Sequence, residues 1–147
     1  MSNEQTGIIS FKYQGLYYGF KFRSEVDWDN LGDKITTELK NMTLKDYEIM
    51  KELVIKIPKN CYHSHAIDNF TGIIEILNNP TNFIQIDTEI SETDRYSYIY
   101  TFINYIYIID LDRNKLLFKN ILYNEENDHG CITIKSEEKK EFDLANL

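Results

Sequence analysis

The chain opens on alternation. Gly7 to Tyr13 and Leu16 to Phe22 are two period-two runs rich in aromatic and β-branched residues, separated by Gln14-Gly15. Period two sends successive side chains to opposite faces of a strand, and a glycine at the junction supplies the positive φ of a tight turn, so these runs predict a hairpin. The pattern then changes to spacings of three and four. Trp28, Leu31, Ile35 and Leu39 fall on one stripe after Ser24-Glu25-Val26-Asp27, which predicts a helix ending near Asn41. Gly32 is a cost inside that helix and marks either its proper start or a close approach by another backbone. Thr43-Leu44-Lys45-Asp46 has the form of a capping box, with Tyr47, Met50, Leu53 and Val54 on one face behind it. A second helix is expected from Leu44 to about Ile55, stopped by Pro58.

From Lys59 to Asn69 no period is detectable, and a loop or irregular extended segment is expected. Phe70 to Leu77 is apolar but too short for periodicity to separate helix from strand. Asp68 and Asn69 as caps and Asn78-Asn79-Pro80 as a stop favour helix. Beyond Asn82 the period returns to two: Phe83, Ile84 and Ile86, then Arg95 to Phe102, Tyr105 to Leu111, Leu116 to Ile121 and Cys131 to Lys135, with Asp112 to Lys115 as a turn. The expected fold is α+β, a twisted antiparallel sheet of five to seven strands with two or three helices packed on one face. Residues 1–147 read as a single globular domain, with mobile ends at 1–6 and 137–147. Phe142 and Leu144 are the anchors of the charged tail.

If Ile103-Asn104 is a tight turn, Phe102 faces Tyr105 and Tyr100 faces Tyr107 across it. One face then carries Tyr96, Tyr98, Tyr100, Phe102, Tyr105 and Tyr107, and the other Ile99, Thr101, Ile103, Ile106 and Ile108. Both faces are apolar. One must lie under the helices, and the ordinary reading makes the isoleucine face core and the tyrosine face a half-solvated outer surface, or the reverse. The functional reading makes the six aromatic residues a docking surface for a protein partner or a second copy, because tyrosine offers large contact area at low entropy cost.

Composition narrows the function classes. Sixteen Lys and Arg against twenty-four Asp and Glu give a formal charge of −8, a field that repels phosphates and argues against nucleic acid. No stretch reaches the roughly 18 apolar residues of a membrane span, and no signal peptide is apparent. A cytoplasmic protein is expected. Abundant Ile and Asn, alanine only at Ala66 and Ala145, and a large excess of Lys over Arg are what A/T-rich codons impose.

All three histidines and both cysteines fall in two clusters, Cys61-Tyr62-His63-Ser64-His65 and His129-Gly130-Cys131. In extended backbone, alternate residues share a side, so Cys61, His63 and His65 could converge with His129 and Cys131 on zinc, which takes four nitrogen or sulfur donors in a tetrahedron. The same residues could serve a cysteine-dependent hydrolase. The spacing matches no common zinc finger, and the plain alternative is solvated loop histidines and a small apolar Cys131. No cofactor is expected on the leading reading, and zinc only on this one. Asp27, Asp29 and Asp33 suit the positive end of a helix dipole. A small-ligand module would need a concave aromatic pocket with convergent polar groups.

The segment Gly7 to Phe20, followed by Asp27-Trp28-Asp29-Asn30-Leu31-Gly32, resembles uncharacterised small proteins of bacteria, phages and large DNA viruses. Their pattern is strand, short turn, strand, an aspartate-rich turn and a glycine inside the opening of a helix. Here Trp28-Asp29-Asn30 replaces the usual Gly-Tyr-Pro run. The resemblance covers the first quarter of the chain and carries no catalytic residue. It implies a viral or phage accessory protein, in host cytoplasm or virion. The leading expectation is therefore a non-enzymatic protein-interaction module.

Overall fold

The computed structural model describes residues 5–57, 66–79, 83–86, 103–123 and 134–147. The fold is α+β. Among the described residues six strands form one sheet in the order β3-β2-β1-β4-β5-β6, with β1 Thr6–Tyr13, β2 Leu16–Arg23, β3 Phe83–Ile86, β4 Ile103–Asp110, β5 Lys115–Tyr123 and β6 Ile134–Asp143. The predicted hairpin is β1–β2: Tyr13 pairs with Leu16, and Gln14 and Gly15 both take positive φ, 52° and 76°. Those values suit the primed turns that follow a sheet's own twist.

The sheet is mixed where a purely antiparallel one was expected. β1 runs parallel to β4, from Gly7 beside Tyr105 to Lys12 beside Asp110, while every other pairing is antiparallel. The expected turn at Ile103-Asn104 does not form. Both residues begin β4, and the register slips between Thr6–Ile103 and Gly7–Tyr105, leaving Asn104 as the extra residue of an irregularity. A polar residue that interrupts an alternating run can mark a bulge as readily as a turn. Nor is 137–147 a free tail: residues 137–143 belong to β6, and Leu144–Asn146 close the chain as a 3-10 turn with Leu144 buried.

The helices lie on one face. Trp28–Gly32 is a single π turn that continues directly into α1, Asp33–Asn41, with Leu31, Ile35 and Leu39 buried on the predicted stripe. At Gly32 the near neighbour is an indole rather than a backbone: an added Cβ would meet Trp28 Cε3 at 2.7 Å. The ring of Trp28 stacks on Phe142 at 5.4 Å and sits 4.8 Å from Phe118, so helix and sheet lock through it. α2 spans Leu44–Ile55 with Met50 and Val54 buried, and α3 spans Ile73–Asn78, so the segment Phe70 to Leu77 is helical from Ile73 onward while Phe70 to Gly72 lead into it without helix. Each fully buried Ile, Leu or Phe side chain in this layer contributes about 1.5–3 kcal/mol.

Residues alternate faces as expected along β4. Tyr105, Tyr107 and Ile109 join the helices' core with Phe11, Tyr18, Phe20 and Phe118, whereas Ile103, Ile106 and Ile108 cluster with Ile8 and Ile121 on the opposite face.

Candidate functional site: a groove beside the second helix

A largely apolar recess is built from three turns. Thr43 starts the first. Its hydroxyl accepts from the Asp46 amide at 3.1 Å, and the Asp46 carboxylate accepts from the Thr43 amide at 2.9 Å. This reciprocal box satisfies two helix-end donors and fixes the first helical position, where Leu44 points away from the protein, 87% exposed. Those hydrogen bonds hold the Asp46 carboxyl below its ordinary range. One turn on, Tyr47 donates its hydroxyl to the Leu39 carbonyl at 3.2 Å, which ties α2 to the end of α1, and partial burial pushes its phenol pKa up.

The second turn joins β4 to β5. Asp110, buried at the end of β4, accepts from the Asp112 and Arg113 amides at 3.0 Å each through Oδ1, and its Oδ2 lies 3.7 Å from Lys12 Nζ. Asp112 in turn accepts from the Gln14 amide at 2.9 Å, so the two hairpin ends brace one another. Asn114, within the expected turn, takes a left-handed φ of 55°, which asparagine tolerates. Its carbonyl accepts from the Leu144 amide at 2.9 Å, docking the third turn, the C-terminal 3-10 segment.

Leu44, Tyr47, Glu48, Lys51, Asn114, Leu144 and Ala145 enclose a groove of about 350 Å³ between these turns. Leu144 lies within it as a buried apolar residue, Leu44 is exposed at its lining, and Glu48 and Lys51 face one another at 3.4 Å. Lys51 also lies 5.8 Å from the Tyr13 ring centroid. Such an arrangement can seat an apolar side chain with polar groups around the rim, which is the anatomy of an interface hot spot.

Two smaller recesses adjoin one another at the far end of α1. One, about 200 Å³, is lined by Phe22, Ser24, Glu25, Lys34, Asp68 and Phe70 among others, and the next, about 320 Å³, shares Lys34 and Phe70 with it. Phe22 and Phe70 meet edge to face at 5.9 Å. Ser24 and Glu25 both take left-handed φ, 68° and 51°, a conformation that costs non-glycine residues of order 1–3 kcal/mol and persists where the surroundings fix it. Arg23 pairs with Asp68 at 3.1 Å beside the mouth.

The structure relocates part of the predicted tyrosine surface. Tyr107 is fully buried, its hydroxyl donates to the Val26 carbonyl at 2.7 Å, and burial raises its phenol pKa far above the usual value, assisted by the charge of Asp27. Tyr105 is 9% exposed and stacks 6.2 Å from Phe118. These two are core residues beneath the helices and not a docking surface, because the face that alternation assigned to tyrosine is the one the helices cover. Tyr96, Tyr98, Tyr100 and Phe102 lie outside the described residues, as do Cys61, His63, His65, His129 and Cys131. Among the described residues no group of three or more His, Cys, Asp or Glu is placed to hold a metal ion, and no helix is long and apolar enough to cross a membrane.

Sequence reasoning passed over Leu44. The signal was present: a large apolar residue directly after a helix cap, off the Tyr47, Met50, Leu53 and Val54 stripe, has no place in that helix's core. Comparisons with protein-family models, curated proteins and solved structures gave no match to this chain.

Proposed function

We propose that the protein is a non-enzymatic interaction module that holds an apolar side chain of a protein partner in the groove between α2, the β4–β5 turn and the C-terminal 3-10 turn. The observation that carries this reading is Leu44, 87% exposed beside a concave apolar recess of about 350 Å³. A single exposed leucine is ordinary on a protein surface. One fixed by a capping box at the lining of a groove is positioned for contact. The N-terminal resemblance and the A/T-rich codon signature favour a viral or phage accessory role in a cytoplasmic setting.

The test is selection of displayed random peptides on the immobilised full chain. Enriched peptides should share an apolar anchor. Leu44→Asp should weaken them by roughly 10- to 150-fold, the equivalent of about 1.5–3 kcal/mol for one buried leucine. Because Leu44 is solvated in the free protein, its folding stability should shift by no more than about 0.5 kcal/mol. Peptides that bind equally well to the Leu44→Asp protein, or a selection yielding no apolar anchor, defeat the proposal.

The Phe22–Phe70 recesses favour one second reading, a small-ligand module, since an aromatic wall meets Glu25, Lys34 and Asp68 there. Chemical-shift mapping with a library of small polar aromatics tests it. Shifts confined to Ser24, Lys34 and Phe70 support it, and an unresponsive spectrum sinks it.

A further inference from the structure

β6 ends the sheet. Its inner edge pairs with β5, and no strand lies beside its outer edge among the described residues. It is ten residues long, against a typical strand of about five or six. An edge of that length presents a row of backbone donors and acceptors, and proteins commonly guard such an edge with charge. Here the charges are ordered by sign. Glu137 and Lys139 lie on the face away from the helices, paired with Ile121 and Lys119 of β5, while Ser136, Glu138 and Lys140 lie on the helix face, opposite Leu122, Asn120 and Phe118.

We propose that β6 is a self-association edge. Two copies of this chain pair their β6 strands antiparallel about a two-fold axis at Glu138, joining two six-stranded sheets into one. This rests on a different surface from the groove and is independent of it.

The register follows from symmetry and charge. A two-fold axis that sets two identical strands side by side and antiparallel keeps each copy's helix face on the same side, so paired residue numbers must sum to an even value. A sum of 276 centres on Glu138 and sets Glu137 opposite the second copy's Lys139, twice. It also sets Ser136 opposite Lys140. The one like pair, Glu138 with its mate, is solvated and has each chain's own Lys140 at 3.9 Å. A sum of 278 sets Lys139 against Lys139 and Glu137 against Glu141, and a sum of 274 sets Glu137 against Glu137 and Lys135 against Lys139. A sum of 280 opposes Lys140 to Lys140 and Glu137 to Asp143. Over the whole overlap the sum of 276 also sets Lys135 opposite Glu141, giving four attractions against one repulsion. The sum of 278 sets four (Glu138 with Lys140, Lys135 with Asp143) against three, 280 sets two (Lys139 with Glu141) against three, and 274 sets none against three. Opposite charges favour a ladder and like charges oppose it, so the register at Glu138 is selected. The same pattern of signs rejects partners that lack it, which explains how a long edge avoids indiscriminate pairing.

The experiment is sedimentation equilibrium on the full chain and two single variants, Glu137→Lys and Lys139→Glu. Wild type should form dimers. Each variant alone turns both attractions between positions 137 and 139 into repulsions and should weaken dimerisation about tenfold or more. Mixed together, Glu137→Lys and Lys139→Glu chains regain both opposite-sign pairs in a heterodimer and should recover near-wild-type association. Each chain in that mixture keeps its own internal repulsion between positions 137 and 139, where wild type has an ion pair at 3.9 Å. Recovery therefore reports contact between chains and not repair of folding, which circular dichroism of each variant checks separately. A wild type that stays monomeric at about 1 mM, variants that associate as well as wild type, or a mixture that fails to recover would each overturn the proposal. Failure here with Leu44-dependent peptide binding intact leaves the groove reading standing.

Discussion

Replacing Gly32 by alanine sets two physical effects against each other, and the sign of the result decides between them. Gly32 has φ −58° and ψ −41°, right-handed helical values that any L-residue adopts, so its conformation does not demand glycine. Helix propensity alone predicts that Gly32→Ala stabilises the protein by about 0.5–1 kcal/mol. Packing predicts the reverse. The new methyl group would lie 2.7 Å from Trp28 Cε3 and 2.9 Å from Cδ2, well inside the optimal carbon separation of about 3.5–4.0 Å. The indole cannot easily retreat, because Phe118 and Phe142 close its other sides at 4.8 and 5.4 Å and Lys140 Nζ lies 4.9 Å from its ring centroid. Overpacking of this kind costs about 1–3 kcal/mol. Subtracting the propensity gain leaves a net loss of up to about 2.5 kcal/mol, a fall in Tm of up to about 10 °C for a chain of this length. Trp28 is the single tryptophan, so a guanidinium titration followed by its fluorescence, with far-ultraviolet circular dichroism as a second probe, reads both stability and the environment of the ring. A higher midpoint for Gly32→Ala, with the indole emission unchanged, would refute the close-packed indole as the reason for glycine here.

Other outcomes follow from the same geometry. Tyr107→Phe leaves the buried Val26 carbonyl without its donor and should cost about 1–2 kcal/mol in denaturant titration. Because folding raises the Tyr107 phenol pKa above its unfolded value near 10, its contribution is fully present below pH 10 and is lost as pH rises further. Alkaline unfolding should accordingly be less steep in pH for Tyr107→Phe than for wild type, and parallel curves would contradict the burial. Glu38 accepts from the Ile73 and Ile74 amides at 2.7 and 3.3 Å, so Glu38→Ala should cost about 1–2 kcal/mol and accelerate hydrogen exchange across α3. Unchanged protection at Ile73 would show that α3 needs no cap from α1. The Asp46 carboxyl is depressed below 3.8 by the Thr43 box, so its stabilising effect exists above that value and is lost as pH falls through the lower folded pKa. An Asp46 titration midpoint that Thr43→Ala does not raise would remove the box as its cause.

What the chain disclosed in advance was mainly local. Thr43 to Asp46 wrote its cap in four consecutive residues, and Gln14-Gly15 wrote its turn in two, so α2 and the first hairpin appear where the pattern put them. The cap of α3 was not legible, because Asp68 and Asn69 look suitable in sequence while the carboxylate that binds the amides comes from Glu38, thirty-five residues earlier. The same distance problem hid the β1–β4 pairing, since nothing in Thr6 to Tyr13 says which later strand will lie beside it. Asn104 was misleading for a chemical reason: one amide side chain serves a turn or a bulge equally well. β6 was obscured because its sequence is charged on both faces and lacks the apolar alternation that identifies a strand's neighbours, although Phe142 within it and Leu144 just after it pack against the core. The groove went unread for a related reason, as its walls come from three stretches separated in sequence and only Leu44 stands out on its own.

The parallel seam between β1 and β4 has a consequence during synthesis. Gly7 leaves the ribosome ninety-eight residues before its partner Tyr105, an interval of roughly 5–20 s at about 5–20 residues per second. Through that time β1 lacks the strand that completes the cover of Ile9 and Phe11 on one face and Ile8 on the other, side chains that end with no solvent contact at all. A strand edge that waits this long for its partner is exposed to wrong pairing, so yield in cells should depend on holdase chaperones more steeply than the final stability suggests.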